Sequence, residues 1–280
     1  MSVFLSLLSA IVYGAADFCG GMAARRVPVA AVVVISQGSG LGLLLVLLPF
    51  MPAHAVASDY VFGALAGVFG AASIALLYHA LSIGTMGVIS PVTAVLAALL
   101  PLGFGTIVRG EHLAAGQFAG IAFALVAIVL ISLSTERSGT REIATEGVRE
   151  AILAGLGFGA FFILLSFTHP AAGVHNLLAA RITSLVLMTA LALVTRTKLV
   201  PERASDLRLI AFSGLLDMSA NVLYVLSTFS GTLAVAAVLC SLYPASTVAL
   251  ARIVLNERLS RIQKAGVACA FAGVLLIALR

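Results

Sequence analysis

The 280 residues are 61% hydrophobic and only 10% charged, with a mean hydropathy of +1.17. Soluble domains are about half apolar and about a quarter charged, so this composition excludes a water-soluble core and places the chain in a lipid bilayer. The formal charge of +5 does not point to nucleic acid, because the basic residues lie in short loops between apolar runs, where membrane topology accounts for them.

A helix that crosses the hydrocarbon core needs about 20 predominantly apolar residues. Five such runs are expected near Val3 to Ala23, Val29 to Phe50, Tyr60 to Ser82, Gly87 to Val108 and Leu113 to Leu133. The first has no basic segment before it and is followed by Arg25-Arg26, so it reads as a retained helix and not as a signal peptide. A polar segment with alternating Glu and Arg, 134–150, then links to five more runs near Ala151 to Phe167, Asn176 to Thr195, Leu207 to Thr228, Leu233 to Leu255 and Ile262 to Leu279. The expected architecture is an all-α integral membrane protein with ten transmembrane helices. Residues 1–133 form one five-helix unit, 134–150 the linker and 151–280 the second unit.

The two units echo each other. Of the 25 positions from Ile107 to Ile131, 11 recur without a gap 146 residues later, among them Glu111, Leu113, Gln117 and Gly120 as Glu257, Leu259, Gln263 and Gly266. Leu77-Tyr78 returns at the same offset as Leu223-Tyr224. Because five spans is an odd number, the second unit enters the membrane in the opposite sense, which makes the repeat inverted and points to transport. Most loop Lys and Arg, from Arg25-Arg26 through Arg196, Lys198 and Arg203 to Arg258 and Lys264, fall on one side, whereas the other side has only Arg109 and Arg280. The positive-inside rule makes the first side cytoplasmic and both termini extracytoplasmic, in a plasma or inner membrane.

Ionisable groups inside a bilayer are costly and mark sites by default. Asp217, Asn221 and Tyr224 are spaced i, i+4, i+7 and share one face of the eighth helix. That stripe reads as a cavity wall, with Asp217 a proton or cation site, or as an interhelical cluster in which Arg181 neutralises Asp217. Tyr13 and Asp17 on the first helix are likewise i, i+4, although solvation or an ion pair with Arg25-Arg26 also accounts for Asp17. Arg181 lies about five residues into its helix, where it either snorkels to the surface or meets a substrate carboxylate. Tyr78 and Tyr224, related by the repeat, are expected near a shared midplane, with Gln37 and Ser90 as further cavity or helix-bridging candidates, and His79 reads as a packing residue. Glu111 and Glu257 stand at helix starts, where a carboxylate answers the helix dipole, and are structural. Pro91, Pro101 and Pro244 are expected to bend the fourth and ninth helices. Cys19, Cys240 and Cys269 lie in apolar runs, so no disulfide, metal or other cofactor is expected.

Gly84-Thr85, Ser90-Pro91 and Glu111-His112-Leu113 in the first unit, and Gly231-Thr232, Tyr243-Pro244 and Glu257-Arg258-Leu259 in the second, follow one pattern: a short turn, a Pro-interrupted helix, then Glu-x-Leu opening another. This pattern, with Tyr13-Gly14 in the first helix, resembles the EamA domain of the drug/metabolite transporter superfamily over nearly the whole chain. The resemblance implies helices one to four and six to nine around a central cavity, five and ten outside, and export or import of small metabolites, often amino acids. In the related small multidrug proteins a helix-one Glu couples export to protons, and Ile11 occupies that place here. Many EamA domains carry an Arg in the second helix of each half; Arg181 fits, but Ser36 and Gln37 stand at the matching place.

The expected function is a secondary transporter, an exporter of a small metabolite such as an amino acid, working by alternating access. The two halves would rock around a midplane site, with Gly84-Thr85 and Gly231-Thr232 as flexing points. Expected partners are the substrate, the bilayer and a coupling proton or cation, with no nucleic acid, in a monomer or homodimer. The chain holds no GxxxxGK[ST] phosphate loop for ATP. A lipid-modifying membrane enzyme, or a non-transporting subunit or channel, is the alternative.

Overall fold

The computed structural model describes residues 1–51, 54–84, 86–132, 147–229, 231–255 and 261–278. Eleven α-helices account for most of them: α1 Ser2–Ala24, α2 Val29–Leu47, α3 Ala57–Ile83, α4 Met86–Gly103, α5 Ala115–Ser132, α6 Val148–Leu165, α7 His175–Val194, α8 Ala204–Thr228, α9 Leu233–Cys240, α10 Tyr243–Leu255 and α11 Arg261–Ala278. No strand occurs among the described residues. Six helical segments are long and apolar enough to cross a membrane, namely Ser2–Ala24, Val29–Phe50, Ala57–Ile83, Val148–Leu165, His175–Val194 and Ala204–Thr228. Shorter apolar helices cover Val92–Val108, Ala115–Leu130 and Leu233–Thr247. Large apolar side chains such as Val46, Phe4, Val186 and Phe212 are more than half exposed on the outer surface. An exterior of that kind is solvated by lipid and not by water.

Local chemistry sets the helix ends. Pro28 precedes α2, where its missing N–H is no loss. Asp59, in the first turn of α3, accepts from the Val56 N–H at 2.9 Å. The expected ninth helix is interrupted: Ser241 and Leu242 form a turn just before Pro244, which divides it into α9 and α10. A proline removes one intrahelical donor and clashes with the preceding turn, so a helix restarts readily at this point. In contrast, α4 runs through Pro91 and Pro101 and widens into a π-helical stretch at Phe104–Val108.

The 146-residue echo extends to the helix bounds. Adding 146 to the bounds of α2, α3 and α5 gives 175–193, 203–229 and 261–278, and α7, α8 and α11 span His175–Val194, Ala204–Thr228 and Arg261–Ala278. The packing follows the same rule. α1 lies on α8, and its counterpart α6 lies on α3; α2 packs on α8 as α7 does on α3; α5 and α11, counterparts of each other, pack together.

Small residues make these contacts close. Along α1, Ser2 Oγ donates to Ser227 O, Ser9 Oγ to Ala220 O, and Ser213 Oγ donates back to Ala16 O, each at 2.8 Å. The partners fall by seven on α8 as they rise by seven on α1, so the two helices run antiparallel along a serine seam. Gly14 brings α1 onto α10, where Thr247 Oγ1 donates to the Gly14 carbonyl at 3.1 Å. A Cβ there would collide with Ser246 Oγ and the Tyr243 carbonyl.

Candidate functional site

A central cavity opens where α1, α2, α3, α6, α7, α8 and the α9–α10 break converge. Water centres have about 70 Å³ to occupy, room for roughly five waters at ~15 Å³ each. The site therefore suits a small solute and not a lipid chain or a peptide. Phe158, Phe161 and Phe162 of α6 give the cavity an aromatic wall, and polar groups of α1, α2, α7, α8 and the α9–α10 break complete the lining.

Arg181 organises the polar side. It donates to Gln37 Oε1 on α2 and to Asp217 Oδ2 on α8, and its side chain is 7% exposed against 15% for Asp217. The guanidinium is thus held in the interior, and the snorkelling expected from its place in α7 does not occur. A neighbouring amide oxygen and a carboxylate oxygen take two of its five N–H donors. Asn221 Nδ2 donates to the Asp217 carbonyl at 2.8 Å and approaches Oδ2 at 3.4 Å, while its own Oδ1 has no partner. The stripe expected on α8 is therefore both of the things it suggested, an interhelical cluster and a cavity wall.

Tyr13 and Asp17 of α1 also line the cavity. Asp17 is 8% exposed and makes no ion pair with Arg25 or Arg26 among the described residues. Arg26 instead lies 3.8 Å from Asp206, at the start of α8. The reason is helical phase: Asp17 points toward the bundle, and Arg26 lies beyond the end of α1. Ile11 is 58% exposed, so the place of the helix-one acid of the small multidrug proteins faces outward here.

Two expected residues lie outside this cavity. Tyr78 is 1% exposed, packs its ring against Gly20, and shares a 3.3 Å hydrogen bond with Ser213 Oγ. Tyr224 borders a second cavity of about 260 Å³, formed with Arg109, Glu111, Thr168, Thr228 and neighbouring residues. The expected shared midplane is thus incorrect for this pair. By the serine register, Tyr224 comes level with the first turn of α1, whereas Tyr78 comes level with its last turns. That separates them by roughly 20 Å at ~1.5 Å per residue. Phe162 of the first cavity and Tyr224 of the second meet at 4.3 Å between ring centroids and form the partition between the two spaces. His79 is exposed and Ser90 is buried outside the cavity.

Glu111 does not serve its own helix, which begins at Ala115. Its Oε1 and Oε2 accept from the N–H groups of Leu233 and Ala234, each at 3.1 Å, at the start of α9. Glu257 lies outside the described residues.

Sequence reasoning missed Ser184, Ser241 and Tyr243, all of which line the cavity with an oxygen that has no partner. Ser184 follows Arg181 by three residues and so shares its helix face, a signal that was available. Ser241 reaches the cavity only because the helix breaks beside it.

The fold and cavity define a multi-pass membrane protein with a small internal polar site. Residues 147–279 match the model of the EamA-like transporter family, which is consistent with the resemblance to an EamA-domain protein of the drug/metabolite transporter superfamily that the paired motifs carry. A crystal structure of a protein with 14% sequence identity aligns with a TM-score of 0.74 over 99% of this chain and 96% of that one. At that identity the likeness is one of fold. No curated protein matches the chain.

Proposed function

We propose that this chain is a secondary carrier that exports a small metabolite, amino acids among the candidates, by alternating access through the central cavity. The observation that carries the reading is a cavity of solute size, mostly apolar in lining but holding the buried Arg181–Asp217 pair, inside an apolar bundle. Such groups are expensive in a membrane and are retained where they serve a pathway. The matching helix bounds and the exchange-symmetric packing support two five-helix units, 1–133 and 151–280, joined by 134–150 and inserted in opposite senses, with ten spans in all. Two mirror-related arrangements of one scaffold would then open the cavity to opposite sides, with Gly84-Thr85 and Gly231-Thr232 as flexing points.

The orientation follows from charge. The loops with Arg25, Arg26, Arg196, Lys198 and Arg203 lie at the end of the bundle where Arg26 meets Asp206, which we assign to the cytoplasm of a plasma or inner membrane. The protein works as a monomer or homodimer, with a proton or cation as coupling ion.

Counterflow in proteoliposomes across amino acids, sugars and amines, at two pH values, tests the proposal. Exchange of at least one solute is expected, and loss of it in Asp217→Asn. If no solute in the panel produces flux, the carrier reading falls.

A further inference from the structure

Asp17 is the unanswered charge of the central cavity. Its carboxylate is more than nine-tenths buried, lines the cavity, and receives no hydrogen bond or salt bridge among the described residues. A buried carboxylate without a partner is strongly disfavoured, so an ion that reaches this cavity meets a ready counter-charge.

The remaining charges fix the sign of that ion. Asp217 and Arg181 cancel, which leaves Asp17 as the cavity carboxyl with no counter-charge among the described residues. Arg181 is engaged by Gln37 and Asp217. A solute carboxylate entering here finds no uncommitted cation and faces two carboxylates. An ammonium finds Asp17 and, elsewhere on the same cavity wall, the unpartnered acceptor Asn221 Oδ1 with the hydroxyls of Ser184, Ser241 and Tyr243. The wall of Phe158, Phe161 and Phe162 offers aromatic faces, which receive hydrocarbon and attract cations.

We infer that the solute of the central cavity is a small monocationic amine without a carboxylate, with Asp17 as the counter-ion of its ammonium group. This narrows the amino-acid candidates above; its transport arm rests on the carrier reading, and its binding arm does not.

Equilibrium binding to the purified full chain in detergent, paired with counterflow, tests it with phenethylamine, phenylalanine and tetramethylammonium as probes. Phenethylamine is expected to bind at least about tenfold more tightly than phenylalanine, and Asp17→Asn to weaken amine binding by more than about tenfold, as when one member of a buried charge pair is lost. The wild-type preference needs no variant, so the test survives if Asp17→Asn does not fold. Phenylalanine binding as tightly as phenethylamine, unchanged amine affinity in Asp17→Asn, or binding of neither amine would each overturn the inference. It also fails if sodium alone is bound through Asp17, or if the variant loses only a proton flux. Amine binding through Asp17 without counterflow keeps this inference and removes the carrier reading; amino-acid counterflow indifferent to Asp17 does the reverse.

Discussion

Glu111 holds the amide of Leu233 at 3.1 Å, so a carboxylate in the loop before α5 caps the start of α9, 122 residues further along the chain. Its second oxygen takes the next amide, that of Ala234. Helix starts leave such donors unsatisfied, and here a residue remote in sequence supplies the missing acceptor.

Replacing Glu111 by Ala removes both acceptors, and a lost cap costs about 0.5–2 kcal/mol. Thermal unfolding in detergent should show the midpoint fall by a few degrees for Glu111→Ala and by less for Glu111→Gln, whose amide oxygen still accepts one bond. An unchanged midpoint in both variants would mean that the cap contributes nothing.

The Arg181–Asp217 pair responds differently to single and double replacement. Asp217→Leu leaves a buried guanidinium with Gln37 alone and should cost about 3–5 kcal/mol, whereas Arg181→Met with Asp217→Leu should recover most of that loss. A double variant no more stable than Asp217→Leu would show that the pair is not the unit of stability. Solute binding is expected to stay lost in the double variant.

The rings of Phe162 and Tyr224 partition the two cavities, and Cys240, 1% exposed, lies on the wall of the central one. In a background of Cys19→Ser and Cys269→Ser, Phe162→Ala should raise the labelling rate of Cys240 by a membrane-impermeant thiol reagent several-fold. Tyr224→Phe should leave that rate alone, because the Tyr224 hydroxyl has no partner and the ring does the separating. Equal rates in wild type and Phe162→Ala would place the barrier elsewhere.

Two glycines give opposite outcomes. A Cβ at Gly14 meets Ser246 and the backbone of Tyr243, while one at Gly38 meets nothing within 4 Å. Gly14→Ala should destabilise by about 1–3 kcal/mol through overpacking. Gly38→Ala in α2 should be neutral or stabilise by roughly 0.5–1 kcal/mol, since Gly is the poorer helix former. The comparison is read from the two unfolding midpoints.

Much of this was legible in the sequence because spacing and hydropathy are local. Six of the apolar runs return as helices long enough to cross a membrane, the 146-residue echo returns in the helix bounds, and the Asp217/Asn221 stripe follows from helical periodicity. Partner choice was less legible. Asp17 seemed close enough to Arg25-Arg26 for an ion pair, yet Arg26 turns to Asp206, 180 residues later. The depth of Arg181 depends on Gln37 and Asp217 from two other helices, and no property of α7 alone reveals it. Tyr78 and Tyr224 match in sequence, but they come level with opposite ends of α1, as the proposed inverted repeat would require.

The serine seam between α1 and α8 joins helices from different units, and its counterpart joins α3 to α6. In the packing, α1 lies on α8 and α10 and α2 on α8, while α6 lies on α3 and α4 and α7 on α3, with α2 against α7 and α4 against α9 between the two groups. The pieces that move against each other in the proposed carrier are therefore woven from both halves of the chain, and cutting the polypeptide at its linker would not yield either one. Asp17 and Asp217 stand on helices of the first group, Arg181 and the phenylalanine wall on helices of the second. The bonds that Arg181 makes to Gln37 and Asp217 cross from one group to the other, so in the proposed carrier a solute that loosens them would act directly on the motion that carries it.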